Sequence, residues 1–161
     1  MAPAVLALEN AARKARIVAA RFPRETVLAA DTVVAMDGRF YGKPGDMEEA
    51  FRMLSELSGK SHEVVTGVAI RFAGGSRKDF FESSRVTFHP LGADEIRTYL
   101  ASIDPLDKAG AYAAQDDNGR IIRRIEGSVT NVIGLPVECL RRTLEENGIL
   151  PGKGFRQKRE G

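Results

Sequence analysis

The sequence predicts an α/β fold in which a mixed, twisted sheet is flanked by helices. Two long apolar runs rich in β-branched residues, at 26–36 and 62–72, are typical of strands covered on both faces. Elsewhere apolar residues recur every three or four positions, as they do in amphipathic helices. The chain has 161 residues, of which 43% are hydrophobic and 29% charged, a composition typical of globular proteins. We therefore expect a single domain over residues 1–150.

The first half of the chain alternates helical and extended segments. Pro23 ends the first helical pattern, and Asp37-Gly38 is a strong signal for a tight turn between two strands. Asp46 is a suitable N-cap for the helix that follows. The elements predicted here are a helix at 4–21, a strand at 26–36, a short strand at 39–41 and a helix at 46–57.

The second half begins with two long strands joined by a turn at Gly74-Gly75. A loop-rich segment at 103–119 contains a proline and two glycines, and such segments often carry function. Pro136 occupies the first-turn position of the last helix. The elements predicted here are strands at 62–72 and 78–89, a helix at 92–101, a strand at 121–125, a helical turn after Ser128 and a helix at 136–147.

The charge distribution argues against a nucleic-acid-binding protein. The chain has a formal net charge of +2, and residues 151–161 hold four basic residues and one acidic residue. The rest of the chain therefore has a net charge of −1, whereas nucleic-acid binding depends on neutralising many phosphates. We expect residues 151–161 to form a basic, flexible tail.

The sequence also lacks the features of membrane-spanning proteins and of disulfide-bonded proteins. No apolar run approaches 18 residues, so the sequence predicts no membrane span. Its one cysteine, Cys139, cannot form an internal disulfide. We therefore expect the protein in a reducing cytoplasm.

Asp31 is the most informative candidate for a functional residue. It lies in the middle of the first apolar run, where an unpaired carboxylate would be costly to bury. One interpretation is structural, with the carboxylate at the exposed end of the strand, where it caps a neighbouring helix or pairs with an arginine. The other is a metal ligand or general base at the end of a strand, where open α/β sheets place their ligands. The residue pattern alone leaves both open.

Two further segments carry polar side chains on loops. Lys43 projects from the turn Gly42-Lys43-Pro44-Gly45, and it would approach Asp31 if the strand at 39–41 returns antiparallel to the first strand. A lysine there suits a phosphorylated substrate, although a surface lysine on a turn is the simpler interpretation. Lys108 and Gln115 flank small residues around Gly110, and both could reach one cavity.

Taken together, the sequence resembles the Maf family of nucleoside triphosphate pyrophosphatases, in particular its branch that prefers dTTP and UTP. The resemblance extends over nearly the whole chain to about residue 148, in the family's order and spacing. It rests on Ala30-Asp31-Thr32-Val33-Val34, Gly42-Lys43-Pro44, Lys108-Ala109-Gly110-Ala111-Tyr112, and on residues 7–15, 57–59, 62–68 and 127–136.

The resemblance implies both a fold and a reaction. The fold would be elongated and two-lobed, like that of the inosine triphosphatases, with a central cleft. The reaction would convert a nucleoside triphosphate into the monophosphate and pyrophosphate. Asp31 would be the catalytic proton acceptor and would help to hold a divalent cation, Mg²⁺ or Mn²⁺. Lys14 and Lys43 would face the phosphates, and Thr32 and Gln115 would influence the choice of base.

The resemblance also implies a homodimer. In one respect we expect this sequence to differ from the family's usual plan. Family members have a strand and a Ser-Pro-Arg-Arg-type loop before the first helix, and we expect that this chain lacks that region of about three dozen residues. A chain without it could instead be a non-catalytic nucleotide-binding or dimer-forming module. The sequence therefore predicts a dTTP/UTP pyrophosphatase, with the non-catalytic module as the alternative.

Overall fold

The computed structural model describes residues 1–115 and 117–149. Every predicted element is present, with ends shifted by no more than one residue. Asp46 caps its helix as expected, since its carboxylate accepts a hydrogen bond from the Glu49 amide at 2.8 Å. Pro136, predicted inside the last helix, is its N-cap instead. The elements in chain order are α1 (Pro3–Arg21), β1 (Val27–Met36), β2 (Arg39–Tyr41), α2 (Met47–Leu57), β3 (Ser61–Arg71), β4 (Arg77–Phe88), α3 (Ala93–Leu100), two 3₁₀ turns (Pro105–Asp107 and Ala109–Ala111), β5 (Ile122–Glu126), α4 (Val129–Ile133) and α5 (Val137–Glu146).

The α/β class with flanking helices is confirmed, but the sheet differs from the mixed sheet expected. Its strand order is β2-β1-β3-β4-β5, and each pairing between the described strands is antiparallel. A helix between two strands usually joins parallel neighbours. Here the segment containing α2 carries the chain across β1, so that the parallel strands β2 and β3 are separated by β1.

The two faces of the sheet are covered differently. Helix α1 lies on one face, where its alanines pack against small and β-branched residues of β1 and β3. The opposite face carries the largest buried cluster, in which strand residues such as Val34, Val64 and Phe88 pack with Leu54 of α2 and Tyr99 of α3. Because side chains alternate along a strand, successive residues of β1 face α1 and the main core in turn.

Helix α1 lies very close to the sheet. A Cβ atom built on Gly67 would lie 2.5 Å from the Ala7 carbonyl carbon, so only glycine fits at that position. Ala7, Ala11 and Ala15, along the same face of α1, are fully buried. Gly67 is also the register partner of Asp31 on β1. The close approach therefore brings α1 over the part of β1 that carries Asp31.

Three predictions from the sequence concern the extent of the domain, the C-terminal tail and membrane spans. The single domain at 1–150 stays a prediction, and the basic tail predicted at 151–161 lies outside the described residues. Among the described helices, none combines the length and apolar character needed to cross a bilayer.

Candidate active site

A cleft of about 270 Å³ opens where the main-core face of the sheet meets the free edge of β1. Strand β2 pairs with β1 only from Val34 onward, so residues 27–33 have no strand partner on that side within the described chain. The five residues predicted for the site come from four separate segments, and all of them line this cleft: Lys14, Asp31, Thr32, Lys43 and Gln115.

The Asp31 carboxylate is held by two side chains of α1. Lys14 donates from Nζ to Asp31 Oδ1 at 2.6 Å and to the Ala30 carbonyl at 3.2 Å, while Asn10 donates from Nδ2 to Asp31 Oδ2 at 3.0 Å. The Asp31 side chain is still 19% exposed. It is therefore paired, although with a lysine and an asparagine and not with the arginine of the structural interpretation, and it is also open to the cleft.

Asn10 was not singled out from the sequence. It lies four positions before Lys14, and residues at that spacing share one helix face. That spacing could have indicated that Asn10 and Lys14 act on the same group. The sequence does not show, however, that α1 lies over Asp31.

Lys43 reaches the cleft from the turn after β2. That strand is antiparallel to β1, as the prediction required, and Lys43 lines the same cleft as Asp31. Its ammonium group donates a hydrogen bond to the Asp107 carboxylate at the cleft mouth, and this bond lowers the pKa of Asp107. Both side chains are largely exposed. The sequence did not indicate Asp107 as the partner of Lys43.

Thr32 points to the opposite side of β1 from Asp31 and joins a buried polar network. The Thr32 and Thr66 hydroxyl oxygens are 2.9 Å apart, and the Thr66 hydroxyl donates to the Asn131 carbonyl at 3.0 Å. The Asn131 side chain accepts from the Thr66 amide and donates to the Val64 carbonyl and the Ser84 hydroxyl. Neither Thr66 nor Asn131 was assigned a role from the sequence.

The segment that carries Lys108 and Gln115 is anchored by buried aromatic residues. The Tyr112 hydroxyl lies 2.9 Å from His62 Nε2, and the Tyr99 hydroxyl accepts from the Ala113 amide at 3.0 Å. Burial lowers the pKa of His62 to about 4, and burial also raises the pKa of Tyr112. His62 is therefore neutral at pH 7, and Lys108 and Gln115 both line the cleft, as expected.

The cleft is lined by two chemically different groups of residues. Lys14, Lys43 and Lys108 supply three cationic groups, against the two carboxylates Asp31 and Asp107. The remaining lining is neutral and includes Thr32, Gln115, Tyr112, Val34 and Val132. Such a lining can bind a ligand that combines a polyanion with a neutral, partly polar ring.

Comparison with known proteins identifies a family and relatives that match most of the chain. Residues 1–147 match the Maf-like protein family. A dTTP/UTP pyrophosphatase of Carboxydothermus hydrogenoformans is 47% identical over 147 residues, covering 91% of this chain and 79% of that protein. A dTTP/UTP pyrophosphatase of Myxococcus xanthus is 47% identical over 86% of this chain and 70% of its own length, and one of Salinibacter ruber is 49% identical over 89% and 72%. The chain belongs to the Maf-like protein family.

Proposed function

We propose that the protein hydrolyses dTTP and UTP to the monophosphate and pyrophosphate. The observation that carries the proposal is the Asp31 carboxylate, held by Lys14 and Asn10 and facing a cleft with two further lysines. The relatives named dTTP/UTP pyrophosphatase, which match over most of the chain, support the same reaction.

The lysines bind the triphosphate. Lys14, Lys43 and Lys108 converge on the cleft from α1, from the turn after β2 and from the segment after the first 3₁₀ turn. A triphosphate carries more negative charge than Asp107, so it competes for Lys43 and turns that ammonium group into the cleft. Fixed ammonium groups beside the phosphates stabilise the charge that shifts to the leaving oxygen.

Asp31 accepts the proton of the attacking water. The water oxygen bonds to phosphorus, the bond to the bridging α–β oxygen breaks, and the electron pair leaves with pyrophosphate. The proton released by the water passes to the Asp31 carboxylate. Lys14 and Asn10 fix the orientation of that carboxylate, because each binds a different one of its oxygens.

A divalent cation fits the donors that the cleft offers. Mg²⁺ at phosphate sites is usually bound by one or two carboxylates together with substrate oxygens, and Mn²⁺ accepts similar ligands. Asp31 is the carboxylate that would hold it, since a carboxylate has about four acceptor positions and Lys14 and Asn10 use only two of them. When bound, the ion would neutralise part of the phosphate charge.

Thr32 and Gln115 contact the base. Both line the cleft and both are neutral, so they suit a ring with hydrogen-bonding edges better than a phosphate. We also propose that the protein is a homodimer and works in the cytoplasm. Exposed apolar residues near the end of α1, Ile17, Val18 and Phe22, support an interface, and the single cysteine suits a reducing compartment.

An Asp31→Asn variant tests the proposal. It keeps the size of the side chain but removes the proton acceptor, so we expect kcat for pyrophosphate release from dTTP with Mg²⁺ to fall at least about a hundredfold. Asp94→Asn is the matched control, because Asp94 lies fully exposed on α3, and its activity should equal that of the unaltered protein. Full turnover by Asp31→Asn would reject the assignment. Binding of dTTP by the unaltered protein without any pyrophosphate release would favour the non-catalytic alternative.

A further inference from the structure

A chain of three hydrogen-bonding groups runs from the cleft into the core. Thr32 lines the cleft, its hydroxyl oxygen lies 2.9 Å from that of Thr66, and the Thr66 hydroxyl lies 3.0 Å from the Asn131 carbonyl oxygen. Thr66 and Asn131 are fully buried. Bulk water therefore reaches neither Thr66 nor Asn131.

Either hydroxyl can donate across the contact between Thr32 and Thr66, but only one assignment of protons makes both contacts hydrogen bonds at once. A hydroxyl has one proton to donate, and a carbonyl oxygen can only accept. The Thr66 proton therefore goes to the Asn131 carbonyl. The contact between the two hydroxyls must then use the proton of Thr32, with Thr66 as the acceptor. The Thr32 oxygen, in a residue that lines the cleft, then has only lone pairs left for a further hydrogen bond.

The surrounding bonds keep Thr66 in this orientation. Its backbone amide donates to Asn131 Oδ1 at 3.1 Å, and Asn131 Nδ2 donates to the Val64 carbonyl at 3.0 Å and to the Ser84 hydroxyl at 2.9 Å. Asn131 therefore cannot exchange its oxygen and nitrogen positions without losing these bonds. If Thr66 donated to Thr32 instead, the bond from Thr66 to the Asn131 carbonyl would be lost, although that carbonyl also accepts from the Gly134 amide at 3.0 Å.

We infer that Thr66 is a positioning residue that makes the Thr32 hydroxyl a hydrogen-bond acceptor only, so that the cleft selects bases with a ring N–H at the position that meets Thr32. The inference rests on the proposed function, because it assigns the base to the Thr32 end of the cleft. Uracil and thymine carry a hydrogen on ring nitrogen N3, whereas cytosine has a lone pair there. A lone pair that faces the Thr32 oxygen is repelled and loses its hydration without compensation.

The experiment compares UTP and CTP as substrates of the unaltered protein and of Thr66→Val. Valine keeps the shape of threonine but cannot accept the Thr32 proton, so the Thr32 hydroxyl becomes free to donate to cytosine. We expect the ratio of kcat/KM for UTP over CTP to fall about tenfold in Thr66→Val. Thr66→Ser retains the hydroxyl and should retain the ratio. The Asn131 carbonyl stays satisfied in both variants, because it also accepts from the Gly134 amide at 3.0 Å.

A second measurement needs no variant. N3-methyluridine triphosphate lacks the N–H group, and the unaltered protein should hydrolyse it with kcat/KM at least about tenfold below that of UTP. An unchanged UTP-to-CTP ratio in folded Thr66→Val, or equal hydrolysis of UTP and its N3-methyl form, would overturn the inference.

Failure of the proposed function is recognised separately, as the absence of pyrophosphate release from UTP by the unaltered protein. In that case the dissociation constants of UTP and CTP, measured by calorimetry, replace kcat/KM, and the same ratios decide the inference.

Discussion

The two faces of the sheet position neighbouring residues of β1 in different ways. On the α1 face, Asp31 is reached by Lys14 and Asn10 because the helix backbone approaches Gly67 closely. On the opposite face, Thr32 is fixed by hydrogen bonds to fully buried groups, with Thr66 as its direct partner. The position of Asp31's partners therefore depends on Gly67 having no side chain, whereas the position of Thr32 depends on its polar contact with Thr66.

The difference matches the chemistry of the two side chains. In the proposed function Asp31 takes part in proton transfer, which requires polar neighbours and access to water, and Asp31 has both at the free edge of β1. In the further inference the Thr32 hydroxyl discriminates between bases, which requires that its proton keep one direction, and a buried polar network favours this. Adjacent residues of one strand can serve both needs because their side chains point to opposite faces.

The largest effect is expected from Gly67→Ala, which disrupts the packing of α1 against the sheet. The added methyl group would overlap the backbone of Ala7, so α1 must move away from the sheet. We expect a loss of unfolding free energy of about 3 kcal/mol, together with a strong loss of activity as Lys14 and Asn10 leave Asp31. Urea denaturation measures the stability.

Gly42→Ala is the matched control for stability, because its Cβ would meet no atom within 4 Å. Equal stability and activity of Gly67→Ala and the unaltered protein would show that the close approach of α1 is unimportant.

The opposite face is tested through the pH dependence of stability. The pKa of buried His62 is lowered to about 4, so between that value and about 6.5 the unfolded chain takes up a proton that the folded protein does not. Stability should therefore fall as the pH drops through this interval, with a contribution from His62 of about 2 kcal/mol between pH 7 and pH 5.

His62→Gln removes this contribution. Its unfolding free energy, measured in urea at both pH values, should decrease less on acidification than that of the unaltered protein. An identical decrease in both proteins would show that burial of the neutral imidazole does not cause the pH dependence.

The smallest effect is expected at the cleft mouth, where Lys43 pairs with Asp107. Both side chains are largely exposed, so Asp107→Asn should leave the melting temperature unchanged. The variant frees Lys43 to bind phosphate, and we expect KM for dTTP to fall roughly threefold at low salt. The difference should shrink at high salt, where screening weakens both interactions. A raised KM would show instead that Asp107 helps to orient Lys43 toward the substrate.

The sequence alone determined the elements and the most informative residue. Helical spacing, β-branched runs and turn signals act over a few positions, and for this reason they located each helix and strand to within one residue. Asp31 was recognisable because a carboxylate inside an apolar run is locally anomalous. The five predicted site residues lie together in the cleft, while their individual roles stay predictions.

Only the tertiary structure decided how those residues are held. Asn10 lies 21 positions from Asp31, Asp107 lies 64 from Lys43, and Asn131 lies 65 from Thr66. Contacts at such separations depend on how α1 lies against the sheet and on which strands are neighbours, and no local pattern encodes either. The antiparallel pairing of β1 with β3 was missed for the same reason, since local propensity describes a strand without naming the strand that pairs with it.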